Sequence, residues 1–172
     1  MIDLFCDSFP SFPAYIVLDI DDTPDIAHGG QQLALFNAHY DEYVFQPIHI
    51  FEATTGKPVL SLLRPGRRPS GKEVARILKH VIRRIRRNWS RVEIMVRGDG
   101  HYGTPEVMEL LEDQGCGYIL GLPGNARLSK IGQPWYEDVA VRWVQRGKGK
   151  LRRFFQAAYR AKSWSRERKV VA

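Results

Sequence analysis

Asp19, Asp21 and Asp99 are the side chains whose types and spacing could do chemistry. The first two close the run Tyr15 to Asp21 (Tyr-Ile-Val-Leu-Asp-Ile-Asp), a short β-rich apolar stretch of the kind that forms a buried strand opening into a site at its end. Two residues apart in a strand, they face the same way, while Asp22 faces the other way with Ile16, Leu18 and Ile20. Asp99 follows a second apolar run, Val92 to Val96, inside Arg97-Gly98-Asp99-Gly100, where glycines let the chain turn sharply and leave the carboxylate exposed. If those strands are neighbours, the carboxylates at their ends converge. A converging carboxylate pair suits Mg²⁺, with water and a substrate phosphate completing the coordination, which is the arrangement for phosphoryl transfer. One Asp before Thr23-Pro24, or one beside glycine, is ordinary turn chemistry. Acids at the ends of two apolar strands favour a metal site.

The elements that must position these acids follow from pattern. Tyr43–Glu52 and Pro58–Leu63 read as strands joined by the turn Ala53-Thr54-Thr55-Gly56-Lys57, and so as an antiparallel hairpin. Residues 24–42, with Pro24, Gly29 and Gly30, read as a loop with a turn of helix. A helix follows, because Val74, Ile77, Leu78, Val81, Ile82 and Ile85 form one apolar stripe, with Ser70 as N-cap and Glu73 completing a capping box. Thr104-Pro105-Glu106 starts another helix that Gly115 ends, and Tyr118–Leu122 is a further strand. Three antiparallel strands followed by helix-separated strands make an α/β chain with an RNase H-like mixed sheet, the later strands running parallel through right-handed crossovers. Beyond Pro123-Gly124-Asn125 the pattern weakens. Residues 135–172 are basic and aromatic and read as strands of a separate, incomplete β-rich unit, so the chain is expected to divide into 1–134 and 135–172.

Composition bounds the reading. With 172 residues, 44% hydrophobic and 26% charged, the chain is an ordinary globular protein rather than a fibrous or disordered one. The net charge of +7 is unevenly placed: residues 1–63 carry −8, 64–91 carry +10, 92–141 carry −5 and 142–172 carry +10. Alternating acidic and basic segments fit a protein that holds a divalent metal and also grips phosphates. The outer face of the 70s–80s helix concentrates Arg83, Arg84, Arg86 and Arg87, and the tail carries Arg152 and Arg153 among aromatics. These six are the expected DNA contacts. No run approaches the roughly 18 apolar residues of a membrane span, and Met1 to Asp7 lacks the basic start of a signal peptide. A cytoplasmic, nucleoid-associated protein is therefore expected. Cys6 and Cys116 lack the paired spacing of a zinc site and read as small buried residues.

Asp19-Ile20-Asp21-Asp22-Thr23 resembles the nucleophile motif of haloacid-dehalogenase-type phosphatases, with Asp19 as nucleophile and Asp21 as acid/base. Against that reading, a hairpin rather than a helix follows the motif, no second acid follows Asp99 within four residues, and no Lys motif is evident. Leu18-Asp19-Ile20-Asp21-Asp22-Thr23, His28-Gly29-Gly30-Gln31, Leu35 to Tyr40, Pro47 to Ile50, Arg64-Pro65-Gly66 and Arg97 to Gly103 together resemble bacterial DDE-type insertion-sequence transposases. The resemblance spans essentially the whole chain. It implies an RNase H-like domain that cuts and joins double-stranded DNA at transposon ends with Mg²⁺ or Mn²⁺ held by two Asp and one Glu. Asp21 then matches the first Asp, with Asp19 its alternative, and Asp99 the second; both are expected as catalytic residues and metal ligands. Glu137, Asp138 and Glu167 do not match the Glu, and Ser163 to Arg168 resembles the early part of the insertion that precedes it. The chain is thus expected to be a truncated fragment lacking the N-terminal region and the Glu, inactive alone or a DNA-binding remnant. The resemblance allows a homodimer in the intact protein.

Overall fold

In the computed structural model, which describes residues 1–172, the chain forms two units, Met1–Leu122 and Pro123–Ala172. The first opens with α1 (Ile2–Asp7) and then β1 (Tyr15–Asp22), β2 (Asp25–Ile26), β3 (Leu35–Asn37), β4 (Glu42–Phe45), β5 (Ile48–Glu52), β6 (Pro58–Leu62), α2 (Gly71–Asn88), β7 (Glu93–Gly98), α3 (Pro105–Asp113) and β8 (Gly117–Leu120). The main sheet has the order β6-β5-β1-β7-β8. β5 runs antiparallel to both β1 and β6, whereas β7 runs parallel to β1 and to β8. This is the expected RNase H-like mixed sheet.

Alternation along β1 buries Ile16, Leu18 and Ile20 on one side. Against that side packs the stripe of α2, whose Val74, Leu78, Val81, Ile82 and Ile85 are buried at the expected helical spacing. Ser70 caps α2 as expected, its Oγ accepting the Glu73 N–H at 3.3 Å. α1, which sequence pattern does not announce, buries Ile2, Phe5 and Cys6, and Phe5, Phe9 and Trp89 meet edge-to-face at 5.1–5.5 Å.

Two expectations are corrected. Residues 24–42 hold no helical turn; left-handed residues Gly29, Leu33 and Asp41 interrupt any helix, and β2, β3 and β4 form a small sheet of order β2-β4-β3. The single strand expected over Tyr43–Glu52 breaks at Gln46-Pro47 because β4 belongs to the small sheet and β5 to the main one, and Pro47 has no N–H for a ladder.

The second unit departs further from expectation. Rather than strands from residue 135, it begins with α4 (Ala126–Arg146), followed by the antiparallel pair β9 (Gln156–Tyr159) and β10 (Arg168–Val171). The expected division at residue 134/135 therefore falls inside a helix. Asn125 fixes the start of α4 by accepting the N–H groups of Arg127 and Leu128, and left-handed Gly147 ends it. Pro134 and the aromatics Trp135, Tyr136 and Trp143 mask the helix in the sequence. Trp164 meets Tyr159 edge-to-face and the Arg168 guanidinium within this unit.

One ion pair ties the hairpin's end to α2. The Arg64 side chain is only 3% exposed, and its Nε and Nη2 each donate to a Glu73 carboxylate oxygen at 2.9 Å. Arg64 first, then the Ser70 backbone N–H, holds the Glu73 carboxyl below its ordinary 4.5, against the opposing effect of burial. A carboxyl lowered on folding contributes stability above its unfolded pKa and loses it as pH falls through the folded one. Glu73→Gln should cost about 3 kcal/mol near neutral pH by leaving a buried guanidinium half-paired. The gap to wild type in urea unfolding should shrink as pH drops below 4.5.

Candidate active site

The pairing of β1 with β7 decides which carboxylates meet. Asp19 lies opposite Arg97 and Ile20 opposite Gly98; Asp21, exposed and next to last in β1, is one residue past that register, and Asp99 is the first residue beyond β7. Asp21 and Asp99 come from adjacent parallel strands, both at their C-terminal ends, as open α/β sheets place their sites. The Asp99 turn is held by its own backbone: Asp99 Oδ1 accepts the His101 N–H at 2.8 Å, and the Asp99 carbonyl accepts the Tyr102 N–H at 3.2 Å. Across the other edge of β1, His49 is the register partner of Asp21, and its Nδ1 lies 2.9 Å from Ser61 Oγ.

Glycine here supplies room rather than a left-handed turn. Gly98 does not have positive φ; a Cβ on it would meet Tyr102 at 2.9 Å and Ile20 at 3.0 Å. A Cβ on Gly121 would strike the Gly100 nitrogen at 2.5 Å and the Asp99 carbonyl carbon at 2.7 Å. The Asp99 turn therefore lies directly on the backbone at the end of β8.

The three acids of β1 have different fates. Asp19 is clamped by Arg97, whose Nε and Nη2 each donate to one of its oxygens at 2.6 Å, so a guanidinium already offsets its charge. Asp21 Oδ1 accepts the Asp22 N–H at 2.9 Å, and the residue is otherwise exposed. Asp22, on the apolar side of the strand as its parity requires, has a side chain 2% exposed. It accepts the Tyr102 hydroxyl at 2.6 Å and the Gln46 side-chain amide, with His101 Nδ1 3.6 Å away. Asp22 thus ties the end of β1 to the turn that carries Asp99. Burial first, then the Asp22 bond and the charges of Asp22, Asp21 and Asp99, push the Tyr102 phenol far up, so it remains a donor. Asp22, His101 and Tyr102 lie within the motif stretches but carry no role in the sequence reading, and Gln46 lies outside them. The available signal was a lone carboxylate among Ile16, Leu18 and Ile20, which a fold must pair.

Asp21 and Asp99 are hard oxygen donors without a competing cation, which fits a divalent metal of the magnesium kind. No group of three or more His, Cys, Asp or Glu side chains closes into a metal-holding cluster. In the second unit, Asp138 is held by Arg142 and Arg153, chiefly Arg142, which keeps its carboxyl low. Of the six basic residues expected to meet DNA, Arg83, Arg87, Arg152 and Arg153 are exposed. Arg84 pairs with Asp3 at 2.5 Å, and that guanidinium lowers the Asp3 carboxyl to about 2. Arg86 is half-buried, donating to the Gln114 carbonyl at 2.6 Å, and Arg153 pairs with Asp138 at 3.0 Å.

The profile of the family described as transposase DDE domain group 1 matches residues 1–172. The chain belongs to that family. Transposase DDE domains act in DNA recombination with divalent metal ions; here Asp21 lies in β1 and Asp99 follows directly on β7. The phosphatase-type reading loses its scaffold as well, since β1 has an antiparallel partner in β5 and Asp19 is engaged by Arg97. Similar solved structures include a chain of the simian T-cell lymphotropic virus intasome in complex with PP2A regulatory subunit B56 gamma, at 12% identity and TM-score 0.42 over 77% of this chain and 44% of that one. The catalytic core domain of BIV integrase is similar at 14% identity and TM-score 0.38, over 78% of this chain and 74% of that one. The transposase domain thus spans under half of the intasome chain. No curated protein matches it, and no helix is long and apolar enough to cross a membrane.

The Tyr102 tie is open to a stability test. Tyr102→Phe removes a hydrogen bond to a buried charged acceptor and should cost about 1.5–3 kcal/mol in urea unfolding. Asp19→Asn breaks only an exposed pair and should cost clearly less. The reverse order would show that the turn is not held through Asp22.

Proposed function

We propose that this transposase domain carries metal-dependent DNA strand cleavage and transfer at insertion-sequence ends, in the cytoplasm on the nucleoid. Asp21 and Asp99 serve as two of the three catalytic carboxylates. What supports the reading is the parallel pairing of β1, which holds Asp21, with β7, which ends one residue before Asp99, in a chain of the DDE family. Asp21 and Asp99 would hold Mg²⁺ or Mn²⁺, which when bound activates an attacking oxygen and offsets charge on the leaving one. Asp22 and Tyr102 act on the site only by position, fixing how the Asp99 turn meets the end of β1. Asp19 belongs to the Arg97 pair and not to the metal. Basic side chains of α2 and of the tail, Arg152 and Arg153 among them, take phosphates of the duplex. In this reading the unit Met1–Leu122 is the N-terminal part of the catalytic domain, and Pro123–Ala172 leads into a β-rich insertion.

The 172 residues alone bind DNA without turning it over, because the third carboxylate is not among the acids that match the motif. A strand-cleavage assay on duplex bearing insertion-sequence ends with Mn²⁺ tests this. Binding without robust cleavage is the expected result. Robust cleavage abolished by Asp99→Ala would show that these residues already make a complete site. Hydrolysis of a small phosphomonoester, lost in Asp19→Asn, would return the assignment to a phosphatase.

A further inference from the structure

Between α1, β6 and the outer face of α2 runs an open groove of about 650 Å³, lined by Arg76, Lys79, His80, Arg83 and Arg87 together with the Arg84–Asp3 pair. Asp3 is its one acid, and it is spent on Arg84 through both carboxylate oxygens. Arg76, Lys79, His80, Arg83 and Arg87 are exposed. No acid follows Glu73 along the helix to offset them. Residues 76, 79, 83 and 87 follow one line at steps of three or four, so four like charges stand as neighbours, an arrangement that weakens a helix unless an anion lies along it. The line is roughly 16 Å long at 1.5 Å per residue. Phosphates of one B-DNA strand recur about every 3.4 Å along the axis, so a continuous phosphate backbone matches the row and a single small anion does not. Arg86, on another side of α2, is bound to the Gln114 carbonyl and takes no part.

We infer that this groove is a seat for the phosphate backbone of duplex DNA, separate from the carboxylates; the choice of DNA as the polyanion rests on the function proposed above. α2 covers the side of the sheet that buries Ile16, Leu18 and Ile20, whereas Asp19 and Asp21 have the opposite parity on β1. The groove therefore holds a length of DNA that is not reacting, and it does so without reading sequence, since its groups are charges suited to phosphate rather than base edges.

Duplex affinity of the full chain measured against salt, for wild type and for the triple variant Arg76→Gln, Arg83→Gln, Arg87→Gln, tests the assignment. Each phosphate contact contributes about −0.9 to the slope of log K on log[salt]. The triple variant should lower the steepness by about 2.7, so that between 50 and 200 mM salt it loses roughly 40-fold less affinity than wild type does. Its thermal melt should not fall, since all three side chains are exposed and neutralising them relieves the like-charge row. An unchanged slope in the triple variant, or no duplex binding by wild type, overturns the groove. So does a loss confined to poly-glutamate binding, which would mark a seat for an acidic protein. A reduced slope accompanied by phosphatase activity would leave the groove standing while the transposase reading falls.

Discussion

Two carboxylates of like charge, far apart in sequence, sit side by side only where something holds them there against repulsion. In this chain the holding is done by parallel pairing of β1 with β7, which sets Asp19 opposite Arg97 and so delivers Asp21 to Asp99. A slip of one residue would turn Asp21 toward the buried side and bring Asp22 out. Two features oppose that slip. Ile16, Leu18 and Ile20 are committed to the core with α2, and the Asp19–Arg97 pair forms only in the observed register.

The run Asp19-Ile20-Asp21-Asp22 shows how parity divides labour among identical side chains. Asp19 neutralises an arginine, Asp21 is left exposed, and Asp22 is buried and takes the Tyr102 hydroxyl. Burying Asp22 is costly unless it is bonded, and its donors come from the Asp99 turn and from Gln46 between β4 and β5. The cost of desolvating one carboxylate is thus offset by contacts that also orient the turn carrying another. Gly98 and Gly121 complete the arrangement by letting Tyr102 and the turn approach closely.

Much of the main sheet was legible because its signals are local or periodic: the apolar parity of β1, the stripe of α2, the capping residue Ser70 and the Thr104-Pro105 start of α3. Asp21 and Asp99 were legible because each ends such a run. What could not be read depends on partners distant in sequence. The Asp22–Tyr102 bond spans the unit, the role of Gly121 is set by a different loop, and the Arg64–Glu73 pair joins a strand end to a helix. α4 was misread because Pro134 and clustered aromatics imitate a break and a strand, while the Asn125 cap and Gly147 stop that define it are single residues. The basic face of α2 was visible, but not which arginines it spends: Arg84 goes to Asp3 and Arg86 to the Gln114 carbonyl.

Manganese binding to the intact chain, followed by electron paramagnetic resonance as free Mn²⁺ disappears, bears most directly on the claim that Asp21 and Asp99 form one cation site. The account predicts that wild type takes up Mn²⁺, that Asp21→Asn and Asp99→Asn each abolish the uptake, and that Asp19→Asn leaves it in place. Loss of uptake in Asp19→Asn, with Asp21→Asn and Asp99→Asn binding as wild type does, would contradict it.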